Sequence, residues 1–109
     1  MSIEGIRIIT MDGELDLNRR AEIREILRVD APGSPILVDL SGVMYADSTI
    51  LAELLRFHKE AADHAVPVVL VIVARQFARL VQYAGLADAF SIFASVDEAR
   101  ENLLMGKQR

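Results

Sequence analysis

The sequence contains no cysteine, and this absence removes several kinds of chemistry at once. Without a thiol there is no disulfide framework, no thiolate nucleophile and no cysteine-bound metal, while the redox compartment stays undetermined. Basic residues are also few, since 12 Lys and Arg stand against 16 Asp and Glu and give a net charge of −4. Because nucleic-acid surfaces need clustered Lys and Arg to displace counterions, we expect no nucleic-acid partner.

Long apolar runs and glycine-rich loops are missing too. The longest strongly apolar run covers residues 66–74, too short to span a bilayer, and the N-terminal residues carry no signal pattern. The 6 glycines are scattered and form neither GxGxxG nor GxxxxGK, so we expect no nucleotide bound in a Walker or Rossmann manner and no cofactor. What is present, 109 residues with 52% hydrophobic and 26% charged content, is typical of one folded domain over residues 1–109. We expect a cytoplasmic protein without a membrane span.

The N-terminal part predicts a hairpin followed by a helix. A run rich in β-branched residues ends at Asp12-Gly13, a dipeptide suited to a tight turn into a short partner strand. Asp16 can then cap a helix over residues 17–28, where apolar side chains recur at spacings of three and four.

From residue 36 onward, strand patterns alternate with helix patterns. This alternation predicts right-handed parallel β-α-β units, and the antiparallel first hairpin makes the sheet mixed. The fold class is therefore α/β, or α+β with a mixed sheet. The predicted elements are a strand over 36–40, a helix over 48–64, a strand over 68–74, a helix over 77–84 stopped by Gly85, a short strand over 89–93, and a helix capped by Ser95 that runs to 105.

The triplet Asp47-Ser48-Thr49 joins a buried strand to the longest helix, and Asp47 suits the N-cap position. As a hydrolase nucleophile, Ser48 lacks both glycines of G-x-S-x-G and a nearby base, because His58 lies roughly 15 Å along the same helix. A phosphate on Ser48 would instead lie at the positive end of the helix, where free N–H groups stabilise negative charge. On these residues alone, a plain helix cap and a phosphoacceptor both stay open.

Other acidic residues have structural explanations. Asp12, Glu14 and Asp16 alternate near the predicted turn but do not make the calcium-loop pattern, so a turn with one cap is favoured over a metal site. Asp39 stands where response-regulator receivers carry their phosphoacceptor, yet no acidic pair follows the first strand and Arg75 replaces the lysine after the late strand. We expect Asp39 to bond to backbone or polar groups near the strand end, and we expect no metal ion.

Three segments together resemble a known family. "GELDLNRRAEIREIL", "ILVDLSGVMYADSTILAELLRFHKEA" and "LVQYAGLADAFSIFASVDEAREN", in this order and spacing, look like a STAS domain of the bacterial anti-sigma-factor antagonist type. The match covers residues 6–104, and "DLSGV…ADST" is its most specific part. The resemblance implies a single STAS-like domain of about four to five strands, with helices packed mainly on one side of the sheet.

The resemblance also implies a function. In that family, the serine or threonine that opens the helix after "DLSGV…D" is phosphorylated by an anti-sigma factor with a GHKL-type kinase fold. The unphosphorylated antagonist captures the anti-sigma factor and releases the sigma factor, and phosphorylation abolishes capture. By position, the acceptor is Ser48, with Thr49 as the second choice, and the partner-binding residues are Asp16, Asp47, Ser48, Thr49 and Ile50. The chain would be no enzyme. A phosphatase and a homodimer are further expectations.

One position departs from the family pattern. Most phosphorylated relatives read D-S-S/T-G-L, and this chain has Ile50 where the glycine stands. Glycine lets a partner's backbone approach closely, so we expect Ile50 to add bulk beside the acceptor. Non-antagonist STAS proteins also vary at this site, and the alternative role is a non-switching assembly subunit of a stressosome or of a lipid-transporter complex.

Overall fold

The computed structural model describes residues 2–30 and 33–106, which form alternating strands and helices. A 3₁₀ turn, Leu17–Arg19, leads into the first α-helix. The elements are β1 (Ser2–Ile3), β2 (Ile6–Leu15), α1 (Arg20–Ile26), β3 (Ile36–Ala46), α2 (Ser48–Asp63), β4 (Val68–Val71), α3 (Arg75–Tyr83), α4 (Leu86–Ala89), β5 (Ser91–Phe93) and α5 (Val96–Gly106).

The strands form one sheet in the order β1-β2-β3-β4-β5. Strands β2 to β5 are parallel to one another, whereas β1 is antiparallel to β2. Each parallel pair consists of consecutive strands, so each is joined by a crossover that contains at least one helix. The predicted α/β class with a mixed sheet is confirmed.

The antiparallel hairpin lies earlier than predicted. Its turn is formed by Glu4 and Gly5, which both have positive φ angles of 55° and 79°. The predicted turn at Asp12-Gly13 is wrong, because both residues lie inside β2. Gly13 has a φ of 74°, and the pairing of β2 with β3 shifts register immediately before Asp12 and after Gly13. The dipeptide therefore lies in a bulged stretch of the β2–β3 ladder, in which β3 has the extra residues, and not at a reversal of the chain.

Strand β3 is longer than the predicted segment 36–40 and continues to Ala46. Ser41-Gly42 has the composition of a strand end, but Gly42 lies opposite Asp12 in β2. A Cβ atom at residue 42 would be 3.0 Å from the Asp12 Cβ, so glycine allows the two strands to approach closely here. Because β4 ends at Val71, β2 and β3 extend past it at the carboxyl edge of the sheet.

The helices divide unequally between the two faces of the sheet. The larger core lies under α1 to α4, and α5 covers a smaller core on the opposite face. This confirms the prediction of helices mainly on one side. The larger core includes Leu15, Ile23, Val38, Ile50, Leu54, Phe57, Phe77, Val81, Leu86 and Phe90, and the smaller one includes Ile6, Leu37, Val69, Val71, Ala99 and Leu103.

Most predicted helices are present with small changes in their bounds. Segment 17–28 divides into the 3₁₀ turn and α1, and the predicted Ser95 cap is confirmed, since Ser95 Oγ accepts a hydrogen bond from the Glu98 amide at 3.2 Å. Helix α4 was not predicted. Gly85, with a φ of 77°, ends α3 as expected but redirects the chain into a further helical turn, so that β5 begins only at Ser91.

Candidate functional site

Two capped helical segments begin side by side at the carboxyl edge of the sheet. Strands β2 and β3 end together, and the Asp47 amide donates a hydrogen bond to the Leu15 carbonyl at 3.2 Å. Asp16 Oδ1 accepts a hydrogen bond from the Asn18 amide at 3.0 Å. In the same manner, Asp47 Oδ1 accepts one from the Thr49 amide at 2.8 Å. The predicted caps are confirmed, and parallel pairing brings Asp16 and Asp47 next to each other.

The three residues that follow Asp47 differ in their exposure. Ser48 is exposed as the first residue of α2, Thr49 is partly buried, and Ile50 is fully buried in the larger core. The expectation that the Ile50 side chain adds bulk beside the acceptor and belongs to the docking surface is wrong. A helix turns by about 100° per residue, so the side chain two positions after Ser48 points to the sheet.

Large apolar side chains are exposed around Ser48. Leu17 is 65% exposed, and Met44 and Tyr45, at the end of β3, are 83% and 55% exposed. Exposed apolar area can mark an interaction site when it is contiguous, so these three side chains are candidates for one. We call the set Asp16, Leu17, Met44, Tyr45, Asp47, Ser48 and Thr49 the carboxyl-edge surface. The sequence prediction missed its three apolar members for two reasons. It ended β3 before Met44 and Tyr45, and in residues 17–28 it considered only the apolar side chains expected to be buried.

Ser48 is exposed, and neither histidine lies near it. The two histidines are far along or beyond α2: His58 packs edge-on against Phe90 with ring centroids 5.2 Å apart, and His64 is the exposed C-cap. His58 lies roughly 15 Å from Ser48 along the helix, too far to remove its proton. The carboxyl-edge surface therefore offers an accessible hydroxyl that neither histidine can deprotonate.

The remaining acidic candidates make structural contacts. Asp39 Oδ1 accepts hydrogen bonds from the Ser41 amide at 3.0 Å and from Ser41 Oγ at 2.6 Å, which confirms its predicted role at the strand. Asp12 and Glu14 have exposed side chains, and their carbonyls accept hydrogen bonds from Arg19 Nη1 at 2.7 Å and 2.9 Å. Within residues 2–30 and 33–106, no group of three or more His, Asp or Glu side chains is arranged to hold a metal ion.

A buried carboxylate joins α1 to α2. Glu53 is 1% exposed, and its two oxygens accept hydrogen bonds from Arg24 at 3.2 Å and 2.8 Å. Arg56 Nε lies 2.9 Å and Arg20 Nε 3.5 Å from the same carboxylate. The hydrogen bond from Arg24 is the main cause that lowers the pKa of Glu53 from 4.5 to about 2, with Arg56 adding to it and burial opposing it. The cluster fixes the relative positions of the two helices.

A groove runs beside the end of β3. It has a volume of about 350 Å³ and is lined by residues 43–46 of β3 and by residues 74–77 and 80 at the start of α3. Met44 and Tyr45 belong both to this groove and to the carboxyl-edge surface. The two features are therefore continuous.

Comparison with known proteins identifies the family. The STAS domain model matches residues 2–99, so the chain belongs to the STAS domain family. No curated protein matches the chain significantly. In the part of the chain that the structure describes, no helix is long and apolar enough to cross a membrane.

Several solved structures share the fold. An anti-sigma factor antagonist from Mycobacterium paratuberculosis superimposes with a TM-score of 0.79 at 19% identity, covering 93% of this chain and 87% of that one. The STAS domain of a SulP transporter from Vibrio cholerae gives 0.78 at 10% identity, covering 99% and 88%. A sulfate transporter family protein from Wolinella succinogenes gives 0.70 at 18% identity, covering 97% and 92%. At these identities the likeness establishes the fold, which antagonists and transporter domains have in common.

Proposed function

We propose that the chain is a non-enzymatic anti-sigma-factor antagonist whose capture of an anti-sigma factor is switched off by phosphorylation of Ser48. One observation carries the proposal: Ser48 is an exposed hydroxyl at the first position of the 16-residue helix α2, within the carboxyl-edge surface. The partner is an anti-sigma factor with a GHKL-type kinase fold, and it supplies the ATP. The switch controls release of a sigma factor, and so transcription, in the cytoplasm.

The transfer step needs only that Ser48 Oγ reaches the partner's nucleotide. A bond forms between Oγ and the γ-phosphorus of ATP, the bond from that phosphorus to the bridging oxygen breaks, and ADP leaves. The hydroxyl proton passes to a base of the kinase. The phosphate then lies at the N-terminus of α2, where the helix dipole stabilises its charge. A phosphatase reverses the modification.

The same phosphate opposes docking. It adds a charge of about −1.5 to −2 to a surface that already carries Asp16 and Asp47. Met44 and Tyr45 are exposed beside it, and a partner that buries them must also remove water from the phosphate. This desolvation costs free energy that burial of the apolar side chains does not offset. Phosphorylation therefore weakens binding while the fold persists.

The binding test compares two charge substitutions. Titration calorimetry with the cognate anti-sigma factor measures the affinity of the wild type, of Ser48→Asp, and of Ser91→Asp, a control at another exposed serine. We expect Ser48→Asp to weaken binding at least about tenfold, which corresponds to about 1.4 kcal/mol, and Ser91→Asp to leave it unchanged. Circular dichroism should show equal helix content in all three. Equal affinities for wild type and Ser48→Asp would contradict the switch.

The second candidate function is a non-switching STAS assembly subunit of a stressosome or of a lipid-transporter complex. The exposed apolar side chains of Leu17, Met44 and Tyr45 support it, because exposed apolar area suits a permanent contact. In this role Ser48 stays unmodified. A pull-down from the native host would then recover other STAS chains or transporter components and no anti-sigma factor.

A further inference from the structure

The carboxyl half of β3 has an unpaired edge. Pairing with β4 ends at Asp39 opposite Val71, while β3 continues to Ala46. Among the described residues, no strand pairs with residues 40–46 on this side, which at about 3.3 Å per residue leaves roughly 20 Å of free edge. On the other side Gly42, Val43, Tyr45 and Ala46 pair with β2, and the ladder is bulged between them. The Asp47 amide donates its hydrogen bond to Leu15 of β2. Because successive amides of a strand point to opposite sides, the Ala46 amide points toward the free edge.

This edge has none of the side chains that usually guard an open strand. Natural sheets protect such edges with lysine, proline or inward-pointing charge, because unpaired N–H and C=O groups attract further strands. Residues 40–46 read LSGVMYA and include neither a proline nor a charged residue. Met44 and Tyr45 add exposed apolar area at the same place. Neither charge nor proline therefore blocks a further strand at this edge.

The groove beside the edge defines what would cover it. Residues 43–46 form one wall, and the first turns of α3 form the other, with Phe77 and Leu80 as its apolar part. Arg75 stands exposed on the rim, and within the described residues it takes part in no ion pair. The groove thus presents backbone hydrogen-bonding groups, an apolar wall and one cation.

We infer that the free edge of β3 accepts an extended segment of a partner protein as an added strand. An apolar side chain of this segment packs against Phe77 and Leu80, and a carboxylate of the segment faces Arg75. Main-chain hydrogen bonds supply affinity in strand addition, and the side chains set specificity. The groove is continuous with the carboxyl-edge surface through Met44 and Tyr45. That the segment belongs to the anti-sigma factor rests on the proposed function, whereas the strand addition does not.

The test needs neither kinase nor ATP, so its failure would leave the Ser48 switch standing. A phage-displayed library of random peptides is selected on the immobilised full chain, and the selected peptides are synthesised. We expect sequences with alternating apolar residues and one Asp or Glu. Amide hydrogen exchange followed by NMR should show slower exchange of the Ala46 amide when such a peptide is bound.

Charge exchange then identifies the contact. Arg75→Glu should weaken binding of the acidic peptide about tenfold, because attraction is replaced by repulsion, and a peptide with Lys in place of the acid should recover it. Arg79→Glu, on the same helix but outside the groove, is the matched control and should change little. The inference is overturned if no peptide is selected, if Arg75→Glu and Arg79→Glu act alike, if Ala46 exchange is unaffected, or if sedimentation shows that a second copy of the chain already occupies the edge.

Discussion

Replacing Glu53 by glutamine should destabilise the fold by removing the charge that Arg20, Arg24 and Arg56 surround. The pKa of Glu53 is lowered from 4.5 to about 2. At about 1.4 kcal/mol per unit, that shift corresponds to about 3 kcal/mol. Arg20 and Arg24 are 53% and 52% exposed, so solvent screens part of the attraction. We therefore expect Glu53→Gln to lower the free energy of unfolding by about 2 kcal/mol at neutral pH.

The assay is urea denaturation followed by circular dichroism as a function of pH. Because the pKa of Glu53 is lower in the folded state, its contribution is fully present above about pH 4.5 and is lost as the pH falls through the folded value of about 2. The wild type and Glu53→Gln should differ at pH 7 and converge near the folded pKa. Glu25→Gln, at an exposed residue 3.4 Å from Arg28, is the control and should change stability by less than about 0.5 kcal/mol. A Glu53→Gln effect no larger than the control, or one that persists undiminished in acid, would refute the reasoning.

Other substitutions probe the site and its frame. Asp47→Ala removes the cap on the Thr49 amide and should lower the free energy of unfolding by about 1 kcal/mol in urea denaturation, whereas Asp47→Asn should retain most of it. Gly85→Ala should lower the melting temperature through backbone strain at a φ of 77°, and Gly85→Asn should lower it less. Met44→Ser with Tyr45→Ser should weaken partner binding in titration calorimetry but not stability, since both side chains are exposed.

Local patterns predicted the order of the elements because each depends on neighbouring residues. The caps at Asp16 and Asp47 and the left-handed stop at Gly85 each need only a few residues of sequence, and all are present in the structure. The prediction of a turn at Asp12-Gly13 was wrong because the dipeptide lies in a bulged stretch of β2 paired with β3. That pairing partner is distant in sequence, so its effect is invisible in a local window.

The candidate site was predicted in its polar part and missed in its apolar part. The resemblance pointed to Ser48, which is exposed in the structure. It also pointed to Ile50, which is buried because it lies on the same apolar face of α2 as Leu54 and Phe57. Glu53 lies on the same buried face, where a charged residue needs ion-pair partners. Its partner Arg24 is on α1, and only the packing of α1 against α2 identifies it. Exposure at the end of β3 depended on β4 being short, which no pattern in β3 itself reveals.

The central claim is that Ser48 is the phosphoacceptor, and peptide mass spectrometry tests it most directly. The wild type, Ser48→Ala and Thr49→Ala are each incubated with the cognate anti-sigma kinase and ATP. The account predicts one phosphoryl group on Ser48 in the wild type and in Thr49→Ala, and none in Ser48→Ala. Absence of phosphate from the wild type, or its persistence in Ser48→Ala, would contradict the account.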